Sequence, residues 1–351
     1  MNYLFYLQNG TAVSTLPEGY RLFYISDRVN SMTSLSRYSF PGDSILYDLD
    51  NLCVNLYDTF RDHIFDSTEE YYTDFDMQPQ WITRAGLDSD FDMPKEQLED
   101  CFSIPIQKKM SELGIQDKEL LKKYEKIESQ KFKYAYTADC QSLVNTLQEL
   151  LCGSQSAFVG FYKQLCTLPN EHDMEGVYCA MGPDSRMVYS FLYSFIIQTY
   201  SSFDILTKIA YELENIRTCD IAYAKLASSK ILYGGKKHLR MNVAGTIFEK
   251  CRTVSIIENL RNELVHNATW EMNPKIFITS QDGKIVERHI FLPDFTEEGT
   301  LVTYKNRKRF FANGNKVNEE LPRLYFDILQ RTYMTLTKFL NMINNQRIYE
   351  N

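Results

Sequence analysis

Two tryptophans, ten prolines and fifteen glycines among 351 residues leave this chain poor in the residues that punctuate or loosen a backbone. That scarcity excludes Gly- or Pro-rich linkers, collagen-like repeats and low-complexity tracts. A membrane span is missing too. The most apolar stretch, Met187 to Phe203, is interrupted by Tyr and Ser and runs into Asp204, so it reads as a buried helix and no membrane partner is expected. The opening MNYLFYLQNG has no basic leader segment, and the expected location is the cytoplasm. Neither G-x-x-x-x-G-K-[ST] nor G-x-G-x-x-G occurs, which removes nucleotide binding of those kinds. His63, His172, His238 and His289 fall into no H-x-x-x-H or Cys/His cluster, so neither a structural metal nor any other cofactor is expected. The eight cysteines stand singly, with no C-x-x-C pair, and are expected to be buried free thiols.

What is present is ordinary globular material: 44% apolar and 24% charged residues, enough length for a full core, and 24 Tyr with 22 Phe to pack it. Charge is unevenly placed. From residue 217 onward there are 21 Lys and Arg against 14 Asp and Glu, a net of +7, whereas residues 1 to 216 hold 17 against 32, a net of −15. A polyanion is therefore expected on the C-terminal part, with the acidic part serving solubility, a basic partner or self-masking. Solvated faces of opposite bias would give the same totals.

Periodicity divides the chain further. The first 42 residues read as short strands and turns, from Tyr3 to Leu7 and Tyr20 to Ile25 with a turn at Asn9-Gly10. Ile45, Leu49, Leu52, Leu56, Phe60 and Ile64 then recur at helical spacing. An acidic, aromatic linker from Asp66 to Met93 has no period, and its acids Glu69, Glu70, Asp74 and Asp76 are explained by solvation. Helical patterns follow over 94–113, 117–131 and 137–166. Leu168 to Pro183 breaks the pattern, which sets an acidic N-terminal helical region at 1–170 apart from a second domain at 171–351. That second part opens with a long helix from Pro183 to about Asn215, then a shorter segment from Cys219 to Tyr233 and a helix from Val243 to Ala268. A hairpin around Asp282-Gly283, a further strand pair around Asn313-Gly314 and a closing helix from Glu319 to Asn345 complete the reading. The fold class is mainly α, a helical bundle with small β-hairpin insertions and a helical N-terminal region preceded by short strands.

One constellation carries chemistry: Arg261-Asn262-Glu263-Leu264-Val265-His266, in the C-terminal half of the expected 243–268 helix. At about 100° per residue, Asn262 and His266 lie about 40° apart, while Arg261 and His266 differ by about 140°. The arginine must reach round, or an arginine and a histidine from two copies of the helix must complete the site across a two-fold axis.

This segment resembles the R-x4-6-H signature of the HEPN superfamily, in which a polar residue, often Asn, follows the arginine. The resemblance covers residues 184 to 345. It implies a small antiparallel helical bundle, a homodimer, and metal-independent endoribonuclease activity, with roles in antiphage defence or toxin systems. Arg261, Asn262 and His266 would then be catalytic. Imidazole has the proton-transfer range, guanidinium offers a permanent planar cation to phosphate oxygens, and the amide orients phosphate or ring. Some members carry a tyrosine two residues after the histidine that a partner enzyme modifies; Ala268 stands there instead. The same residues have a plain structural explanation, in which His266 sits at a helix C-terminus and Arg261 pairs with Glu258 or lies over the core.

A second feature, Tyr304-Lys305-Asn306-Arg307-Lys308-Arg309-Phe310-Phe311, sets four cations among aromatics. Lys305, Arg307, Lys308 and Arg309, with Lys236 and Lys237 of a second basic cluster, are the expected RNA contacts, although an exposed basic strand needs no ligand. The alternatives to a nuclease are a non-catalytic HEPN-like module for RNA binding or protein interaction, and a helical structural protein with no nucleic-acid role.

Overall fold

A computed structural model describes residues 4–18, 20–23, 30–34, 45–65, 118–119, 122, 131–169, 175–216, 240–267, 269–271 and 273–350. It is mainly helical. The helices among these residues are α1 (Ile45–Ile64), α2 (Lys131–Cys166), α3 (Pro183–Glu214), α4 (Arg252–Asn267) and α5 (Val317–Glu350). In α1 the buried positions are Ile45, Leu49, Cys53, Leu56, Phe60 and Ile64, a stripe at three- and four-residue spacing that faces α2 and α5. α2 and α3 form the most extensive helix pair. Gly160 makes their approach possible, because a Cβ there would stand 2.4 Å from the Phe191 ring. Phe158, Phe195 and Tyr325 then bring α2, α3 and α5 together through rings 4.8 to 5.9 Å apart.

Two small sheets accompany the bundle. β1 (Phe5–Tyr6), β2 (Ala12–Val13), β3 (Tyr20–Phe23) and β4 (Asn30–Ser34) are ordered β2-β1-β4-β3, with β1 parallel to β4. β5 (Gly176–Met181), β6 (Lys275–Gln281) and β7 (Lys284–His289) form an antiparallel sheet. Its hairpin turns at Asp282 and Gly283, both with positive φ, as the Asp-Gly pair predicts.

The structure departs from the sequence reading in several places. Helix does not begin at Val243, because Gly245 has φ 76° and Val243 to Glu249 are held by short turn bonds, so α4 starts only at Arg252. Within 168–183, read as a pattern break, β5 pairs over its whole length with β6. Around Asn313-Gly314 there is no strand pair among the described residues; single bridges at Phe291–Lys316, Phe295–Leu301 and Tyr304–Arg307 replace it. Nor are all the thiols buried, since Cys152 and Cys179 are exposed. The expected helices at 94–113 and 219–233, the linker 66–93 and most of the segment 117–131 lie outside the described residues. No helix among the described residues is long and apolar enough to cross a membrane.

Buried apolar side chains form one continuous cluster drawing on α1, α2, α3, α4, α5 and the second sheet. Two polar groups tie the N-terminal hairpin into it. Asn318 donates to the carbonyls of Gln8 and Arg288 and accepts from the Ile290 N–H. Arg288 is buried and donates to the carbonyls of Gly10, Cys166 and Leu168, at 3.1, 3.1 and 2.7 Å. Three carbonyl dipoles thus face the guanidinium, which burial nonetheless pulls below the ordinary arginine range.

Candidate nucleic-acid interface

Helix α4 presents distinct faces. Ile256, Ile257 and Leu260 enter the core. Ser255, Asn259, Glu263 and Asn267 recur every fourth residue, and the chain between β7 and α5 is laid along them. Gly299, with φ 84°, sits so close to α4 that a Cβ would stand 2.3 Å from the Arg252 carbonyl oxygen. The Asn259 amide donates to the Gly299 carbonyl at 3.4 Å. One turn further on, Lys308 Nζ meets Glu263 Oε1 at 3.3 Å, and Arg309 donates to the Asn267 carbonyl at 3.4 Å. A third face, Glu258, Val265 and His266, is exposed to solvent.

The three expected catalytic residues are therefore placed differently from one another. His266 is exposed in the last turn, and among the described residues it makes no hydrogen bond or ion pair. Asn262, half-buried one turn earlier, accepts from Arg261 Nη1 at 3.1 Å. Arg261 is half-buried, and its guanidinium lies 5.0 Å from the centre of the Tyr200 ring on α3. The guanidinium is thus directed toward α3. Of the two structural alternatives read from the sequence, pairing with Glu258 or a position over the core, the first is not seen: no Arg261–Glu258 ion pair occurs among the described residues. Burial, Asp204 and Glu258 push the Tyr200 hydroxyl upward in pKa, partly offset by Arg261.

Glu263 carries no role in the motif pattern, yet it organises the neighbourhood. Its carboxylate is buried, accepts from the Asn267 amide at 3.1 Å and takes the Lys308 ammonium on its other oxygen. Tyr200 falls by its spacing on the broad apolar face of α3. No signal in the sequence distinguished either residue.

The basic segment is a tight turn, not a strand. Tyr304 and Arg307 exchange N–H to carbonyl bonds of 3.0 and 2.9 Å, with Lys305 and Asn306 between them at φ 46° and 63°. The base of this turn is pinned by Asp294, a buried carboxylate that accepts from the backbone N–H of Ala312 and Asn313 at 2.7 and 3.2 Å. The Asp294 N–H in turn donates to the Phe310 carbonyl. Residues Tyr304 to Arg309 are all exposed, while Lys308 and Arg309 are tied to α4. The structure thus brings two of the four cations, Lys308 and Arg309, against the motif helix, with Lys305 and Arg307 at the tip of the turn. Lys236 and Lys237 lie outside the described residues.

Two hollows occur elsewhere. One of about 350 Å³ is lined by Arg252, Thr253, Arg323 and Asp327, among others, and one of about 200 Å³ lies beside β5. Neither includes Arg261, Asn262 or His266. Among the described residues no group of three or more His, Cys, Asp and Glu side chains is placed to hold a metal ion. No protein-family model matches the chain, and neither a curated protein nor a solved structure matches it.

Proposed function

We propose that the protein is a metal-independent endoribonuclease of HEPN type, working as a homodimer in antiphage defence or a toxin system, with Arg261, Asn262 and His266 as its catalytic residues. The observation that carries this reading is the exposed His266 imidazole at the end of a helix whose adjacent face holds the Lys308 and Arg309 cations in place. A polymer can lie across such a surface. Its phosphates would meet Lys305, Arg307, Lys308 and Arg309.

The reaction needs no redox partner. The ribose 2′-oxygen forms a bond to phosphorus while the bond from phosphorus to the 5′-oxygen breaks. A base takes the 2′-hydroxyl proton, and an acid returns one to the leaving oxygen. His266 serves proton transfer, and Arg261 counters the charge gathering on the phosphoryl oxygens. Since Arg261 is aimed at Tyr200, a second copy is the simplest source of the arginine facing each His266. Exposed Ile197 on α3 and Val265 on α4 support such a contact. In sequence Ile197 falls between Tyr193 and Tyr200 and Val265 between Arg261 and Thr269, and these flanking residues meet through the Tyr193–Thr269 hydrogen bond and the Arg261–Tyr200 contact.

The same fixed Arg261 also favours a second reading, a non-catalytic module that binds RNA or a protein, in which the Arg261–Tyr200 stack is purely architectural. Incubation with end-labelled RNA in EDTA separates the two. The enzyme yields fragments ending in 2′,3′-cyclic phosphate and 5′-hydroxyl; intact RNA that is nevertheless bound supports the module.

A further inference from the structure

The tip of the Tyr304–Arg307 turn combines features that α4 and its motif do not explain. Tyr304 is 62% exposed, a large aromatic ring left in water among cations. Because Tyr304 and Arg307 are directly opposed across the turn, their side chains leave the same side of it. Lys305 Nζ lies 5.4 Å from the centre of the Tyr304 ring. Lys305 and Asn306 hold left-handed backbone, a conformation that side chains bearing a Cβ adopt at a cost. The tip is also held at a fixed place. Lys308 and Arg309 fasten it to α4, and Asp294 fastens the residues that follow. Among the described residues neither Lys305 nor Arg307 forms an ion pair, and the one contact the Lys305 side chain makes is with the Tyr304 ring itself.

From this arrangement we infer that the turn is a base-stacking finger for single-stranded RNA. One base lies on the Tyr304 ring, and the flanking phosphates are taken by Lys305 and Arg307. Exposed aromatic faces beside backbone-tracking cations suit unpaired bases, because each base offers a π-face that a duplex keeps within its stack. A purely electrostatic surface for any polyanion would have no use for the ring. The inference rests on the reading of the chain as an RNA-cleaving enzyme and specifies its substrate as unpaired. Through Lys308–Glu263 the finger has a fixed distance to α4, so the stacked base sets which phosphodiester reaches His266.

The test uses full-length protein carrying His266→Ala, so that binding is measured without cleavage. Fluorescence anisotropy follows a short labelled single-stranded RNA, the same RNA with abasic riboses, its duplex, and phosphatidylserine vesicles. Tyr304→Ala should weaken single-strand binding about tenfold, Tyr304→Phe should hold it within about twofold, and Tyr304→Ala should change nothing on abasic RNA. The inference is overturned if Tyr304→Ala binds normally or weakens intact and abasic RNA alike. It is equally overturned if duplex binds as tightly as single strand, or if only vesicles bind. Cleavage by the His266-containing protein is scored separately. RNA cutting that ignores Tyr304 removes the finger and keeps the nuclease, whereas Tyr304-dependent binding with no cutting keeps the finger and removes the nuclease.

Discussion

The ammonium group of Lys308 stands 3.3 Å from a carboxylate oxygen of Glu263, a residue of the motif helix with only 5% of its surface exposed. Forty-five positions separate the two in sequence. Their contact fixes where the cationic turn sits relative to His266, and it is the first feature to test.

Lys308→Met leaves the Glu263 carboxylate with the Asn267 amide as its remaining hydrogen-bond donor among the described contacts. Lys308 is half exposed, which screens the pair, so the expected loss is about 1 kcal/mol in urea denaturation. Glu263→Gln should cost a similar amount, and the double variant should cost less than the two losses added. Strict additivity would mean that the pair contributes nothing.

Arg288 offers a larger effect. Replacing it with Met strands the carbonyls of Gly10, Cys166 and Leu168 in the interior, which should lower stability by about 2–4 kcal/mol. Arg288→Lys should recover less than half of that loss, because a compact ammonium cannot span three carbonyls as the planar fork does. A Met variant within about 0.5 kcal/mol of the parent would show that water reaches these carbonyls.

Much of this architecture was readable before the fold was known, and the exceptions have physical causes. The stripe of α1 and the long α3 follow from apolar residues at helical spacing, and the β6–β7 hairpin follows from Asp282-Gly283. The segment 243–251 misleads because Val243, Ile247 and Phe248 are spaced like a helix. They pack as turns instead, with the Ile247 N–H donating to the Thr335 hydroxyl of α5. β5 is invisible locally because its pairing partner lies about a hundred residues on. In the candidate site, Arg261, Asn262 and His266 were legible as a pattern. The Tyr200 stack, the buried Glu263 and the turn at Lys305 were not, because each depends on a neighbour distant in sequence or on a backbone conformation that Lys-Asn does not announce.

His289 predicts a pH dependence. Its ring lies between Phe277 and Phe291, with Nδ1 3.4 Å from the Glu287 carboxylate and Lys316 bonded to that same carboxylate. Burial holds its pKa below the ordinary histidine value, with Lys316 adding to that and Glu287 and Glu319 opposing. The neutral ring is the one that folds, so this contribution is complete above about pH 6.5 and is lost as pH falls from there through the depressed folded value. His289→Phe should flatten stability against pH across that window. An unchanged slope would show that other groups control it.

Cross-subunit assembly predicts complementation. Arg261→Ala and His266→Ala should each be inactive alone. A refolded equal mixture should regain about a quarter of the unsubstituted activity, since half the dimers are mixed and each carries one intact site of two. No recovery, with dimers intact, would place both residues of a site in one chain.

The most direct measurement is the rate of RNA cleavage in EDTA by the unsubstituted protein and by His266→Ala. His266 is exposed, so the substitution should leave the fold intact, as the two thermal melting curves will show. Cleavage should fall by about a hundredfold or more on loss of the imidazole. Equal rates for the two proteins, or no cleavage of any RNA by the unsubstituted one, would contradict the proposal that His266 performs this chemistry.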